Sequence, residues 1–185
     1  MQHSPRLDTA RLVLRPPKLS DFDAYAAYWR EPEVVRYISA APVLREEAWE
    51  KLLRQVGLWE LLGFGFFAVE DKASGCFVGS VGFQDLRRDL QPSIEGTLEA
   101  GWGLRPEYQG KGYAAEALQA ALTWAGGAFP QLDYSCIIDP CNMASLRLAG
   151  RLGFIEDVRS TYHGKLVVIL RRLRPSQGGP ARSST

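Results

Sequence analysis

The segment Arg105-Pro106-Glu107-Tyr108-Gln109-Gly110-Lys111-Gly112-Tyr113-Ala114 constrains this chain more than any other. It lies between a strand-like run, Glu95 to Leu104, and a helix-like run from about Gly112 to Gly126. Two glycines at a helix start free the backbone N–H groups to point outward, where the helix dipole favours a negative group. Lys111 adds a cation nearby. The pattern reads as a phosphate-binding loop, with a plain chain-reversing turn as the alternative. The pattern G-x-x-x-x-G-K-[ST] fails, because Arg105 stands where its first glycine belongs and Gly112 replaces the hydroxyl. A dinucleotide fingerprint can be fitted to Gly110, Gly112 and Ala115, with Asp133 about twenty residues on. There, however, a strand should run almost directly into the first glycine, and here Arg105 to Gln109 intervene.

Around this loop the hydrophobic period changes several times. Thr9 to Arg15 reads as a first strand, ended by Pro16-Pro17. Ser20-Asp21 offers N-cap chemistry for a helix with Phe22, Tyr25, Ala26 and Trp29 on one side, which Glu31-Pro32 breaks. A short helix then runs to about Ile38. A longer one begins near Arg45, its apolar residues Trp49, Leu52, Leu53, Val56 and Trp59 at helical spacing up to Gly63. Phe64 to Glu70, Phe77 to Leu86 and Glu95 to Leu104 read as strands, and the helix after the loop buries Ala114, Leu118, Ala121, Leu122 and Ala125. Tyr134 to Ile138 is a short buried strand. Asn142 to Leu152 is a helix with Gly153 at C′, and Phe154 to Thr161 with Lys165 to Leu173 form a hairpin. The order predicts an α/β (α+β) domain over residues 1–174 on one mixed, mostly antiparallel sheet, with 175–185 as a disordered tail.

Composition removes several classes of function. The 22 basic residues against 21 acidic ones leave a net charge of +1, so no bulk field draws the chain to nucleic acid or acidic lipid. The longest aliphatic run, Leu166 to Leu170, is too short to cross a bilayer, and residues 1–8 lack a signal-peptide core. Cys76, Cys136 and Cys141 form no even framework, and His3 and His163 lie too far apart for a zinc site, so no metal is expected. The expectation is a cytoplasmic protein, monomeric or homodimeric, with the final hairpin edge available for pairing.

Gly101 and Gly103 weaken the strand before the loop unless its backbone must be approached closely. A strand end with open backbone groups leading into a phosphate loop suits a ligand with an amide arm and a pyrophosphate, as in coenzyme A. Glycines chosen for helix packing are the alternative. At these residues the sequence resembles the GNAT N-acetyltransferase superfamily. Gln109-Gly110-Lys111-Gly112-Tyr113-Ala114 is similar to its Q/R-x-x-G-x-G/A acetyl-CoA motif, and Asn142-x-x-Ser145-x-x-Leu148 ending in Leu152-Gly153-Phe154 to its second motif. Arg11-Leu12-Val13-Leu14-Arg15, Glu31 to Tyr37 and Glu99-x-Gly101 resemble the branch of the ribosomal-protein N-acetyltransferases RimJ and RimL.

The resemblance implies a sheet splayed between the strand ending near Leu104 and that of Tyr134 to Ile138. Pantetheine would lie in the opening, with the pyrophosphate on the N–H groups of Gln109, Gly110, Lys111, Gly112, Tyr113 and Ala114. Acetyl transfer needs a neutral amine, a stabilised oxyanion and a protonated leaving thiolate. At pH 7 a lysine amine costs more than about 4 kcal/mol to deprotonate, an α-amine only about 1.4 kcal/mol. Glu99 is the candidate base, acting through water, with a structural ion pair to an Arg of a neighbouring strand as the alternative. The backbone N–H at or next to Leu104 is the oxyanion donor, worth roughly 3 kcal/mol. Asn142 reads either as a helix cap or as a group contacting pantetheine or the acetyl region. Ser145 is the candidate acid, because Ala149 stands where many relatives carry a tyrosine. The implied acceptor is a protein N-terminal α-amine. A small-molecule amine or antibiotic, or a non-catalytic acyl-CoA-binding module, are the alternatives.

Cys141 is read as a small buried thiol, His163 as a solvated turn residue, and Arg147 and Arg151 as a solvated face. Tyr25, Tyr28, Trp29, Tyr37, Trp49 and Trp59 read mostly as core, with one or two lining an acceptor groove.

Overall fold

Leu12, Val13 and Leu14 are all buried, as a strand covered on both faces requires. In the computed structural model, which describes residues 5–39 and 41–173, they form β2 (Leu12–Arg15). The strand predicted from Thr9 is shorter than expected, because Thr9 N–H closes a turn onto the Leu12 carbonyl at 2.9 Å and β1 (Leu7–Asp8) folds back beside β2. The helical segments that follow are α1 (Phe22–Arg30), α2 (Pro32–Val35) and α3 (Arg45–Leu62). Next come β3 (Phe66–Asp71), β4 (Phe77–Gln84), β5 (Leu98–Leu104) and α4 (Tyr113–Ala128). The chain continues through β6 (Tyr134–Ile138), α5 (Met143–Arg151), β7 (Ile155–Tyr162) and β8 (Lys165–Arg172).

Among the described residues the strands form one sheet in the order β1-β2-β3-β4-β5-β6-β8-β7, every neighbouring pair antiparallel except β5 and β6. The mixed, mostly antiparallel sheet flanked by helices expected from the sequence is therefore present. On one face lies α4, whose Ala117, Ala121 and Ala125 let its backbone approach closely while Leu118 and Leu122 fill the space against Phe67, Val81, Phe83 and Leu98. The opposite face is covered at β3 and β4 by α1, α2 and α3, through Tyr25, Tyr28, Val34, Val35, Ala48 and Leu52. Beyond it the long loop between β4 and β5 lays Leu90 and Ile94 on Val167 and Ile169 of β8.

Two helix faces differ from the expectation. In α1 the fully buried aromatic beside Tyr25 is Tyr28, and Trp29 is only half-buried. In α3 the inner face is Ala48, Leu52, Gln55 and Leu58, so Trp49, Leu53 and Val56 look outward. Helical spacing in α3 defines two overlapping apolar stripes, and the sheet selects the one that begins with small Ala48. Asp21 does not cap α1. Its carboxylate takes both Arg15 guanidinium Nη atoms at 2.7 Å and the Lys18 N–H at 2.8 Å. Gly63 ends α3 with φ +75°, and Gly153 follows α5 with φ +84° in the predicted C′ position. The segment read as a tail, 175–185, lies outside the described residues.

Candidate active site

Strands β5 and β6 run side by side only where Leu98 faces Tyr134 and Glu99 faces Ser135. Past that point β5 stays with β4 up to Leu104, and β6 stays with β8 up to Ile138. A cleft therefore opens between their C-terminal halves. The direction of the β5 backbone follows from its closed end, where Leu98 N–H donates to the Asp133 carbonyl at 2.9 Å on the β6 side. Strand alternation then turns the N–H and C=O of Ala100, Trp102 and Leu104 toward the cleft. Arg105 N–H, on the same peptide as the Leu104 carbonyl, donates the other way to Val78 at 2.9 Å. The Leu104 carbonyl is held by Gln109 Nε2 at 2.9 Å, and its N–H faces the opening.

At the cleft's end the loop climbs into α4. Gly110 and Gly112 take φ +71° and +80°, a left-handed conformation that favours glycine. Among the described residues the N–H groups of Gly110, Lys111 and Gly112 donate to nothing, and those of Tyr113, Ala114 and Ala115 belong to the unladdered first turn, because the ladder starts with Glu116 N–H on Gly112 O at 3.1 Å. This succession of free N–H groups is an anion nest at a helix N-terminus. The sequence-predicted residues Gln109 to Ala114 thus meet at one end of the cleft that Leu104 borders.

On the far wall stands Asn142, and of its two readings the helix cap is the one the structure shows. Its Oδ1 caps α5 by accepting from Ser145 N–H at 3.1 Å, and among the described residues its Nδ2 donates to nothing. Ser145 is half-buried in the same turn, while Ala149 is sunk in the main core. Arg147 and Arg151 are exposed on the outer face of α5.

Glu99 lies at the point where the strands part, and it is 5% exposed. Its Oε2 accepts from Arg88 Nε at 2.7 Å, and its Oε1 from Arg88 Nη2 at 2.8 Å and Gln84 Nε2 at 2.9 Å. Arg88 Nη1 continues to the Tyr162 hydroxyl at 3.1 Å, and the guanidinium lies 5.1 Å from that ring's centre. Burial works against the Arg88 charge, but the Glu99 and Tyr162 contacts more than restore it and raise its pKa. Glu95, on the loop, pairs instead with exposed Arg87 at 3.0 Å.

Other sequence readings are settled by position. Gly101 and Gly103 serve side-chain packing: a Cβ on Gly103 would overlap the Tyr28 hydroxyl, and one on Gly101 would lie 2.5 Å from the Phe66 ring. The close approach they allow is thus of aromatic rings on the face away from α4, while the cleft is offered backbone. Cys141 is exposed, not buried as expected; the buried thiol is Cys136, whose pKa is pushed far up by burial and then by the Glu99 charge. His163 stands in the hairpin turn with φ +48°, exposed against Tyr162. Sequence reasoning missed Arg88, Gln84 and Tyr162, which carry no local pattern, and it missed Arg11 and Glu116 as partners because they meet across 105 residues.

Comparison with known proteins accords with this geometry. The sequence profile of the acetyltransferase (GNAT) domain matches residues 11–155. The chain is 28% identical to the uncharacterized N-acetyltransferase p20 of Bacillus licheniformis over 155 residues, which are 82% of this chain and 83% of that protein. A Bordetella pertussis structure assigned to the GNAT acetyltransferases superposes with a TM-score of 0.82 at 33% identity, covering 91% of this chain and 99% of the other. RimL, a ribosomal L7/L12 α-N-protein acetyltransferase solved with coenzyme A, shares the fold with a TM-score of 0.75 at 17% identity, over 91% and 98% of the two chains. A profile matched from residue 11 to residue 155, on a sheet that parts beside the loop opening α4, leaves one conclusion: this chain belongs to the GNAT acetyltransferase family.

Proposed function

We propose that residues 1–174 form one catalytic domain that moves an acetyl group from acetyl-CoA directly to a protein N-terminal α-amine, in the cytoplasm. The observation that carries this reading is the free N–H run from Gly110 to Ala115 at the end of a cleft edged by unpaired backbone. The diphosphate binds to that run, aided by Lys111, and pantetheine extends along β5 as an added strand, pairing with Ala100 and Trp102. Solution of RimL with coenzyme A on the same fold supports the choice of cofactor. The thioester carbonyl then reaches the Leu104 N–H, a donor of the kind worth roughly 3 kcal/mol to a developing oxyanion. Asn142 offers its free Nδ2 to the cofactor, and Ser145 protonates the leaving thiolate, whose reference pKa near 8.5 asks little of an acid.

Glu99 supports the choice of amine. Its Oε1 already accepts two hydrogen bonds and its Oε2 one, so a single acceptor position remains at Oε2. That position suffices for one water, through which the amine proton leaves. A carboxylate so occupied suits an acceptor that is cheap to deprotonate. The α-amine, at about 1.4 kcal/mol, fits, and the lysine side chain, at more than about 4 kcal/mol, does not. The α-N-protein activity in RimL's name points the same way.

The test is thiol release from acetyl-CoA with short free-N-terminal peptides, the same peptides blocked at the N-terminus but carrying lysine, and small amines including polyamines and aminoglycosides. Turnover confined to free N-termini is the expected result. Turnover confined to small amines would refute the acceptor, and binding of acetyl-CoA without turnover on any amine would refute catalysis. Glu99→Gln and Ser145→Ala are each expected to lower kcat; full turnover in both would refute these two roles.

A further inference from the structure

Glu116 stands in the first turn of α4, beside the loop proposed to bind a diphosphate, and an unneutralised carboxylate there would repel that ligand. The chain's opening segment answers this charge. Thr9 Oγ1 and Arg11 N–H donate to Glu116 Oε1 at 2.6 and 2.8 Å, and Arg11 Nε donates to Oε2 at 2.7 Å. Burial pushes the Glu116 pKa up, but these donors outweigh it and the net shift is downward, so Glu116 remains an anion paired with Arg11.

The same guanidinium does a second thing. Arg11 Nη1 donates to the Lys111 carbonyl at 2.9 Å. The peptide joining Lys111 to Gly112 is trans and planar, so its C=O and its N–H point in opposite directions. Fixing the carbonyl on Arg11 therefore aims the Gly112 N–H away from Arg11 and into the nest. The guanidinium lies over the Tyr113 ring, 4.2 Å from its centre and within cation–π range, and its Nη2 sits 3.5 Å from where a Cβ on Gly112 would be.

We infer that Arg11 is a positioning residue for the diphosphate of the acetyl donor: it cancels the Glu116 charge and sets the Lys111–Gly112 peptide so that the loop presents its N–H groups before the ligand arrives. This rests on the proposed reading of Gly110 to Ala115 as the diphosphate site. A guanidinium is needed because one side chain must reach a carboxylate and a carbonyl at once, which an ammonium on a flexible stem does poorly.

The experiment compares acetyl-CoA with S-acetyl-pantetheine, which carries the same thioester and amide arm but no diphosphate. For Arg11→Ala, the ratio of kcat/KM between the two donors is expected to fall about tenfold, with a matching rise in the CoA dissociation constant by calorimetry. Arg11→Lys is expected to recover only part of the ratio. An equal loss with both donors would mean a general structural defect and would overturn the inference. Gly112→Val serves as the control on the underlying reading. If it abolishes CoA binding while Arg11→Ala binds CoA like the wild type, Arg11 has no such role and the loop assignment stands. If Gly112→Val also binds CoA normally, the loop assignment itself is wrong.

Discussion

Replacing Arg88 by alanine isolates the most consequential contact near the cleft. The variant loses the hydrogen bonds to Glu99 at 2.7 and 2.8 Å and the one to the Tyr162 hydroxyl at 3.1 Å. Glu99 is left with the Gln84 amide at 2.9 Å as its remaining side-chain partner. Removing one member of a buried ion pair costs about 3–5 kcal/mol, because the other charge stays desolvated. The side chains are 18% and 7% exposed, so some water can enter where the guanidinium was. That places the loss near the lower end, about 3 kcal/mol at pH 7, or roughly 6–12 °C in Tm for a chain of this size. Urea unfolding followed by tryptophan fluorescence measures it directly. Pairing Arg88→Met with Glu99→Gln removes both charges together and is expected to restore most of the stability, since the penalty comes from an orphaned charge more than from a lost attraction. A loss below about 1 kcal/mol for Arg88→Ala, or a double variant no better than the single one, would refute the reasoning.

Three further outcomes follow from other contacts. Gly103→Ala drives a Cβ into the Tyr28 hydroxyl and is expected to cost about 1–3 kcal/mol by thermal melting, with Tyr28→Phe in the same chain recovering part of it. Asn142→Ala removes the cap on Ser145 N–H and is expected to cost about 1 kcal/mol, whereas Asn142→Asp keeps the cap and loses only the amide donors. Asn142→Asp should therefore hold its Tm and raise KM for acetyl-CoA; an unchanged KM would limit Asn142 to capping. Glu116 has a folded-state pKa below its reference of 4.5, so its contribution to stability is complete above that value and disappears as pH falls through the lower, folded one. Acid unfolding between pH 5 and 3 is expected to be steeper in the wild type than in Glu116→Gln, and parallel curves would contradict the shift.

How much could be seen in advance varied with the range of the interaction. Strand Tyr134–Ile138 and the Gly153 stop of α5 were legible to the residue, because an apolar run or a helix-ending glycine is a local fact. The conformation of the loop that opens α4 was legible for the same reason: left-handed backbone and an unladdered first turn are properties of ten consecutive residues. Faces were harder. Trp49, Leu53 and Val56 obey helical spacing as well as Leu52 does, and only the sheet beneath α3 decides which stripe is inside. The strand glycines illustrate the same limit. Gly101 and Gly103 signalled a close approach, but whether of ligand or of aromatic rings depended on where Phe66 and Tyr28 arrive.

By itself, then, the sequence determined the order of the main elements, the loop that opens α4 and the family these imply, because each is written in short-range geometry or in motifs of fixed spacing. Tertiary structure alone decided which charges meet. Glu99 finds Arg88 across a loop, and Arg11 reaches Glu116 and the Lys111 carbonyl from the other end of the chain. Such pairs depend on how the sheet orders its strands, and a carboxylate carries no mark in sequence of the cation it will be folded against.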